Sequence, residues 1–217
     1  MFDAGRNKIS LLLVMDMQDG MYDIPPQETT LPEPERLARI EQRKAAMESL
    51  AADLQPFIDQ MRDSGAEIIW VVMDEERNTP YGGLFNLTPA PQDQWVVKSV
   101  PSAYEGNEDF FDSYVWRAEA EGKDLEINTC GVWALECVNA THTSFHNAGY
   151  NSRIVGDMIL DSHNPGREGQ RPNRGEKQIL DQIAQETSGD SAIIWSGELL
   201  EEHRTRTAQH TPLELSL

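Results

Sequence analysis

Short apolar runs alternate with stretches of helical spacing along almost the whole chain, and this alternation limits the fold more than any other feature. Residues 10–15 (SLLLVM) are mostly apolar and run into Asp16, and residues 67–73 (EIIWVVM) run into Asp74. Unbroken apolar runs of this length read as parallel strands buried on both faces. Between them Pro32 and Pro34 precede a helical pattern of Leu37, Ile40, Met47, Leu50 and Leu54, which Pro56 restarts and Gly65 ends. The pattern then repeats, with strands expected over 95–98, 124–129, 153–155 and 192–195. Helices are expected over 109–121, 135–148 and 177–186. The predicted architecture is α/β, a three-layer α-β-α sandwich around a doubly wound, mostly parallel sheet.

At 217 residues the chain suits one hydrophobic core, and no stretch reads as an interdomain linker. Residues 1–202 are expected to form the domain. Residues 203–217 have weak periodicity apart from the alternating Leu213, Leu215 and Leu217, and are expected to be a tail or an arm reaching to a second subunit. Two irregular segments, 17–33 and 74–93, follow strand ends, the edge at which open parallel sheets bind ligands.

Charge narrows the function. Eighteen Lys and Arg stand against 37 Asp and Glu, a formal net charge of −19, which repels phosphate backbones and anionic lipid alike. Nucleic-acid and membrane-surface partners are therefore not expected. No basic segment precedes the apolar run 11–14, and that run is too short to cross a bilayer. Cys130 and Cys137 lack the spacing of a redox pair or zinc knuckle, which fits a reduced, cytoplasmic compartment.

Three residues attract attention because of where they fall. Asp16 sits where a buried strand enters a loop, a place where a carboxylate serves as a base near neutral pH. Lys98 ends the run Trp95-Val96-Val97. Cys137 follows Gly131-Val132-Trp133-Ala134 from the end of a strand into the start of a helix. There the helix dipole and backbone N–H groups favour a thiolate and an oxyanion. Alone, each has a plainer reading: a turn or cap aspartate, an edge lysine, and a core cysteine such as Cys130.

Together, LLLVMDMQDG, VVKSVPSAY and CGVWALECV, followed by NAGYNSRIVGDMILDS, resemble the isochorismatase-like cysteine hydrolases over nearly the whole chain. The resemblance implies a catalytic triad of Asp16, Lys98 and Cys137. It implies a cis peptide between Val132 and Trp133, with the N–H groups of Trp133 and Cys137 forming an oxyanion hole. It further implies hydrolysis of a C–N bond in a small amide, carbamoyl or ureido substrate, and a homo-oligomer. Nicotinamidases of this family carry Asp-x-His after the second strand to hold a metal. Here Asp74 matches, Glu76 stands in place of the His, and no histidine precedes His142. Neither a metal nor a cofactor is expected.

Gly-Val-Trp-Ala resembles the Gly-Val-Tyr-Ala of the true isochorismatases, which lack the cysteine and cleave a vinyl ether by protonation from the Asp. That chemistry stays open as an alternative, as does a catalytically silent binding member of the same fold. His142 and His146 share one helical face without the rest of a zinc motif and are read as structural or surface residues. Tyr22, Tyr81, Phe85, Tyr104 and Trp133 fall in or beside the active-edge loops and are candidate pocket walls.

Overall fold

The computed structural model describes residues 7–22, 30–73, 83–161, 177–186 and 192–210. Its strands are β1 (Lys8–Met15), β2 (Glu67–Met73), β3 (Gln94–Lys98), β4 (Asp124–Val132), β5 (Asn151–Leu160) and β6 (Ile193–Ile194). The α-helices are α1 (Glu33–Asp63), α2 (Glu108–Glu121), α3 (Asn139–Asn147), α4 (Lys177–Glu186) and α5 (Ser196–His210). The strands form one sheet in the order β3-β2-β1-β4-β5-β6, with every pairing parallel. This is the three-layer α/β arrangement expected from the alternation.

Side chains of β1 divide the core in two. Leu12 and Val14 point into a cluster with Met47, Leu50, Leu54, Phe57, Ile58 and Met61 of α1, while Leu11, Leu13 and Met15 meet Phe111 of α2, Phe145 of α3 and Ile183 of α4. The two-residue alternation of a strand thus places helices on both faces.

The expected break at Pro56 is not a break, since α1 runs unbroken from Glu33 to Asp63 with Pro56 inside it. Phe57, Ile58 and Met61 extend the buried stripe begun by Met47 and Leu50. That burial outweighs the missing N–H and ring clash of a mid-helix proline, about 3 kcal/mol. The boundary drawn after Glu202 also moves, because it falls inside α5. His203 is buried, with Nε2 3.0 Å from the Ser10 hydroxyl of β1 and Nδ1 3.2 Å from that of Ser64. These contacts join the start of the supposed tail to the domain. Leu213, Leu215 and Leu217 lie outside the described residues.

Chain direction along the sheet reverses between β1 and β4. The chain moves outward from β1 to β2 and β3, then returns to the other side of β1 for β4, β5 and β6. Loops leaving β1 and β4 therefore diverge, and a crevice opens at their C-terminal ends.

Candidate active site

Asp16 is the first residue past β1 in that crevice. Its N–H donates to the carbonyl of Val71 at 2.9 Å, and its φ of 51° lies in the left-handed region, which aspartate tolerates better than most residues. Across the crevice, β4 comes very close to the end of β1. Gly131 has φ 106°, and a Cβ there would stand 2.3 Å from the Met15 carbonyl oxygen. Only glycine allows this approach. Past Gly131 the Val132–Trp133 peptide is cis.

The segment carrying Cys137 is not the start of one regular helix. Ala134–Val138 forms a single π-helical turn ahead of α3, with the Trp133 carbonyl accepting from both Glu136 N–H and Val138 N–H at 3.1 Å. Such turns insert one extra residue and occur often at functional sites. The turn brings the thiol of Cys137 near enough to Asp16 for each group to shift the other's proton affinity.

Lys98 comes from β3, two strands from β1. Its ammonium lies 2.9 Å from Asp16 Oδ2, and both side chains are essentially inaccessible to solvent. The same ammonium donates to the Pro101 carbonyl at 3.1 Å, to the Val100 carbonyl at 3.4 Å and to Met73 Sδ at 3.0 Å. Met73 and Lys98 are register partners across β2 and β3. These three supports were not anticipated from sequence. Direct pairing of the two strand-terminal residues is the signal that points to Met73, whereas the carbonyls depend on how 99–101 turns.

Burial dominates the electrostatics. It raises the Asp16 carboxyl above its ordinary value, and the charge of Lys98 and the Cys137 hydrogen bond only partly offset it. The Cys137 thiol is pushed up to about 12, first by burial and then by the Asp16 charge, against the pull of Lys98. The thiolate expected at a helix start is therefore not favoured: burial and the neighbouring Asp16 keep the proton on sulfur. Cys130 is wholly buried on the other face of the sheet, where burial and then the charge of Asp157 raise its thiol further still.

Among the expected pocket residues, Tyr22 and Phe85 meet edge to face at 5.5 Å and pack in one cluster with Met17 and Trp133. A backbone bridge between Gln18 and Leu84 ties their loops together. Tyr104 is not part of this wall. Its ring packs against Phe111, Phe145 and Tyr150, and it lines a groove leading to Asp124 and Asn151 at the opposite ends of β4 and β5. The chain after β3 turns back toward α3, where the Ala103 N–H binds the Thr141 hydroxyl. Tyr81 and the Asp74–Glu75–Glu76 stretch lie outside the described residues.

His142 is buried, with Nδ1 3.0 Å from the Ser152 hydroxyl, and burial followed by the neighbouring His146 lowers it to about 4. It is neutral at neutral pH. Among the described residues no three His, Cys, Asp or Glu side chains converge to hold a metal, and no helix is long and apolar enough to cross a membrane.

Solved structures share this fold at low identity. A cysteine hydrolase from Pseudomonas syringae pv. phaseolicola 1448A superposes with a TM-score of 0.61 at 16% identity, covering 94% of this chain and 95% of that one. An isochorismatase-like hydrolase from Alkaliphilus metalliredigens gives 0.58 at 17%, covering 89% and 98%. The pyrazinamidase of Pyrococcus horikoshii, in complex with zinc, gives 0.52 at 17%, covering 85% and 96%. No curated protein matches the chain. The model of the Isochorismatase domain matches residues 10–170, from within β1 past the end of β5. A match over most of its length makes this chain a member of the isochorismatase family of hydrolases.

Proposed function

We propose that the protein is a cysteine hydrolase that opens the C–N bond of a small amide, carbamoyl or ureido compound through a thioester on Cys137. The observation carrying this reading is the buried Asp16 carboxylate, set between the Lys98 ammonium at 2.9 Å and the Cys137 thiol. Burying a carboxylate and an ammonium costs stability, and perturbed groups of this kind cluster at functional sites.

In the proposed reaction Asp16 takes the thiol proton as sulfur attacks the carbonyl carbon, so a free thiolate need not accumulate. The carbonyl electron pair moves to oxygen, which accepts hydrogen bonds from the N–H groups of Trp133 and Cys137. As the intermediate collapses, the C–N bond breaks and Asp16 gives its proton to the departing nitrogen. Water then loses a proton to Asp16 and attacks the thioester. The C–S bond breaks, and the proton returns to sulfur. Lys98 stabilises ionised Asp16 between steps. Tyr22, Phe85 and Trp133 supply an apolar wall. The name of the Pyrococcus horikoshii relative denotes an amide hydrolase, which fits the proposal, while the shared fold alone does not select the bond.

Wild-type protein and Cys137→Ala are to be incubated with a panel of amides, ureido acids and isochorismate, scoring ammonia and pyruvate. Ammonia release lost in the variant, with an acyl mass adduct on Cys137 in acid-quenched wild type, is the expected result. Pyruvate release from isochorismate that survives Cys137→Ala would replace this reading with vinyl ether cleavage by Asp16.

A further inference from the structure

At the N-terminal ends of β1 and β4, opposite the crevice, lies a polar cavity of about 140 Å³. Asn7, Lys8, Ser10, Ser64, His203 and Arg206 line it, and no carboxylate is among its described lining residues. Behind it is a buried ion cluster. Glu126, with no exposed side-chain surface, lies 2.7 Å from Lys8 Nζ, 2.9 Å from an Arg153 nitrogen and 3.3 Å from an Arg206 nitrogen. Arg153 and Arg206 each also reach Glu202 at 3.1 Å. Lys8, Arg153 and Arg206 thus meet Glu126 and Glu202 in one cluster, within a chain of net charge −19.

Unused donors face this cavity. Arg206 spends Nε on the Glu202 carbonyl and Nη2 on Glu126 and Glu202, and among the described residues its Nη1 has no partner. Lys8 spends one of its three N–H groups, on Glu126. The Ser64 hydroxyl donates to the Met61 carbonyl, so it accepts from His203 Nδ1–H, and Nε2 lies 3.0 Å from the Ser10 hydroxyl. Arg206 acts on both of its titrating neighbours. Burial works to raise the Glu126 carboxyl, yet the surrounding cations hold it at about 2. His203 is pushed below its ordinary value by burial and then by Arg206.

We infer that this cavity binds a small tetrahedral oxyanion of the phosphate or sulfate class, held by Lys8 and by Arg206, whose Nη1 has no partner among the described residues. The space, about 140 Å³, is well below the roughly 300–1,000 Å³ of sites for drug-sized ligands, which suits a small ion. The groove along α5 next to it is lined by Glu198, Glu201 and Glu202 as well as Lys8 and Arg206. Those carboxylates disfavour a long polyanion and leave the small ion as the fitting ligand.

The test follows thermal unfolding of the full chain while inorganic phosphate is titrated at constant ionic strength, with chloride making up the balance. Constant ionic strength separates binding from screening of the acidic surface. The expected result is a saturable rise in melting temperature for wild type and for Cys137→Ala, with apparent affinity reduced about tenfold or more in Arg206→Gln and in Lys8→Gln. Two substitutions are used so that a folding defect in one leaves the other informative. An equal rise with chloride alone, unchanged affinity in a folded variant, or loss of the response in Cys137→Ala would each overturn the inference.

Discussion

Replacing Glu126 with Gln removes the one fully buried carboxylate on which Lys8, Arg153 and Arg206 converge. Burial alone would raise its pKa. The charge of Arg153, the hydrogen bond and charge of Lys8 and the charge of Arg206 outweigh burial and lower it from 4.5 to about 2. A lowering of between two and three units corresponds to about 3 kcal/mol of folding stability at neutral pH, at roughly 1.4 kcal/mol per unit. This agrees with the roughly 3–5 kcal/mol lost when one partner of a buried ion pair is removed. The sign follows from linkage. The folded-state value is depressed, so the contribution is complete above about 4.5 and is lost as pH falls from there through about 2. Urea unfolding of wild type and Glu126→Gln in chloride buffer should differ by about 3 kcal/mol at neutral pH and converge in strong acid. In melting temperature the neutral difference should be roughly 6–12 °C. A difference that does not change with pH, or a variant as stable as wild type at neutral pH, would refute the reasoning.

Lys98→Met should lower kcat/KM by about 100-fold or more and move the acidic limb of the pH–rate profile upward, since Lys98 is what opposes the burial of Asp16. A profile of unchanged position would remove Lys98 from the mechanism. Gly131→Ala should destabilise the fold by about 3 kcal/mol or more, because its Cβ would meet the Met15 carbonyl oxygen at 2.3 Å in a left-handed backbone. Near-normal melting would show that β4 can retreat from β1. A chelator should leave activity unchanged, given Glu76 where metal-binding relatives carry histidine, and loss of activity restored by zinc or manganese would reverse this. Light scattering in moderate salt should give a mass at least twice the 24.5 kDa of one chain. A monomer mass would end the expectation of a homo-oligomer.

The strands were legible where burial on both faces wrote an unbroken apolar run. β1 and β2 end at Met15 and Met73, as the sequence pattern requires, and Asp16 and Lys98 stand at strand ends as read. Helix α5 was not legible. Its buried His203 is held by hydrogen bonds to Ser10 and Ser64, residues far away in sequence, and no periodicity of apolar residues encodes such contacts. Tyr104 was misplaced for a related reason, because proximity to a strand end says nothing about which way the following loop turns its side chains. The protonation of Cys137 was misjudged because helix polarity is readable from sequence, whereas depth of burial, the larger effect here, is a property of the packed structure.

Strand β3 has five residues and forms one margin of the sheet, yet it carries the only ammonium within reach of Asp16 among the described residues. β2 lies between them, so Lys98 spans two strand spacings, about 10 Å, to reach Asp16. A slip of β3 by one residue against β2 would send Lys98 to the opposite face of the sheet and leave a bare buried carboxylate beside the thiol. Asp93, held by Arg62, the Trp70 indole and the Ala90 N–H, anchors the chain just before β3 begins. Insertions or deletions between Asp93 and Lys98 should therefore be tolerated by the fold long before they are tolerated by the chemistry.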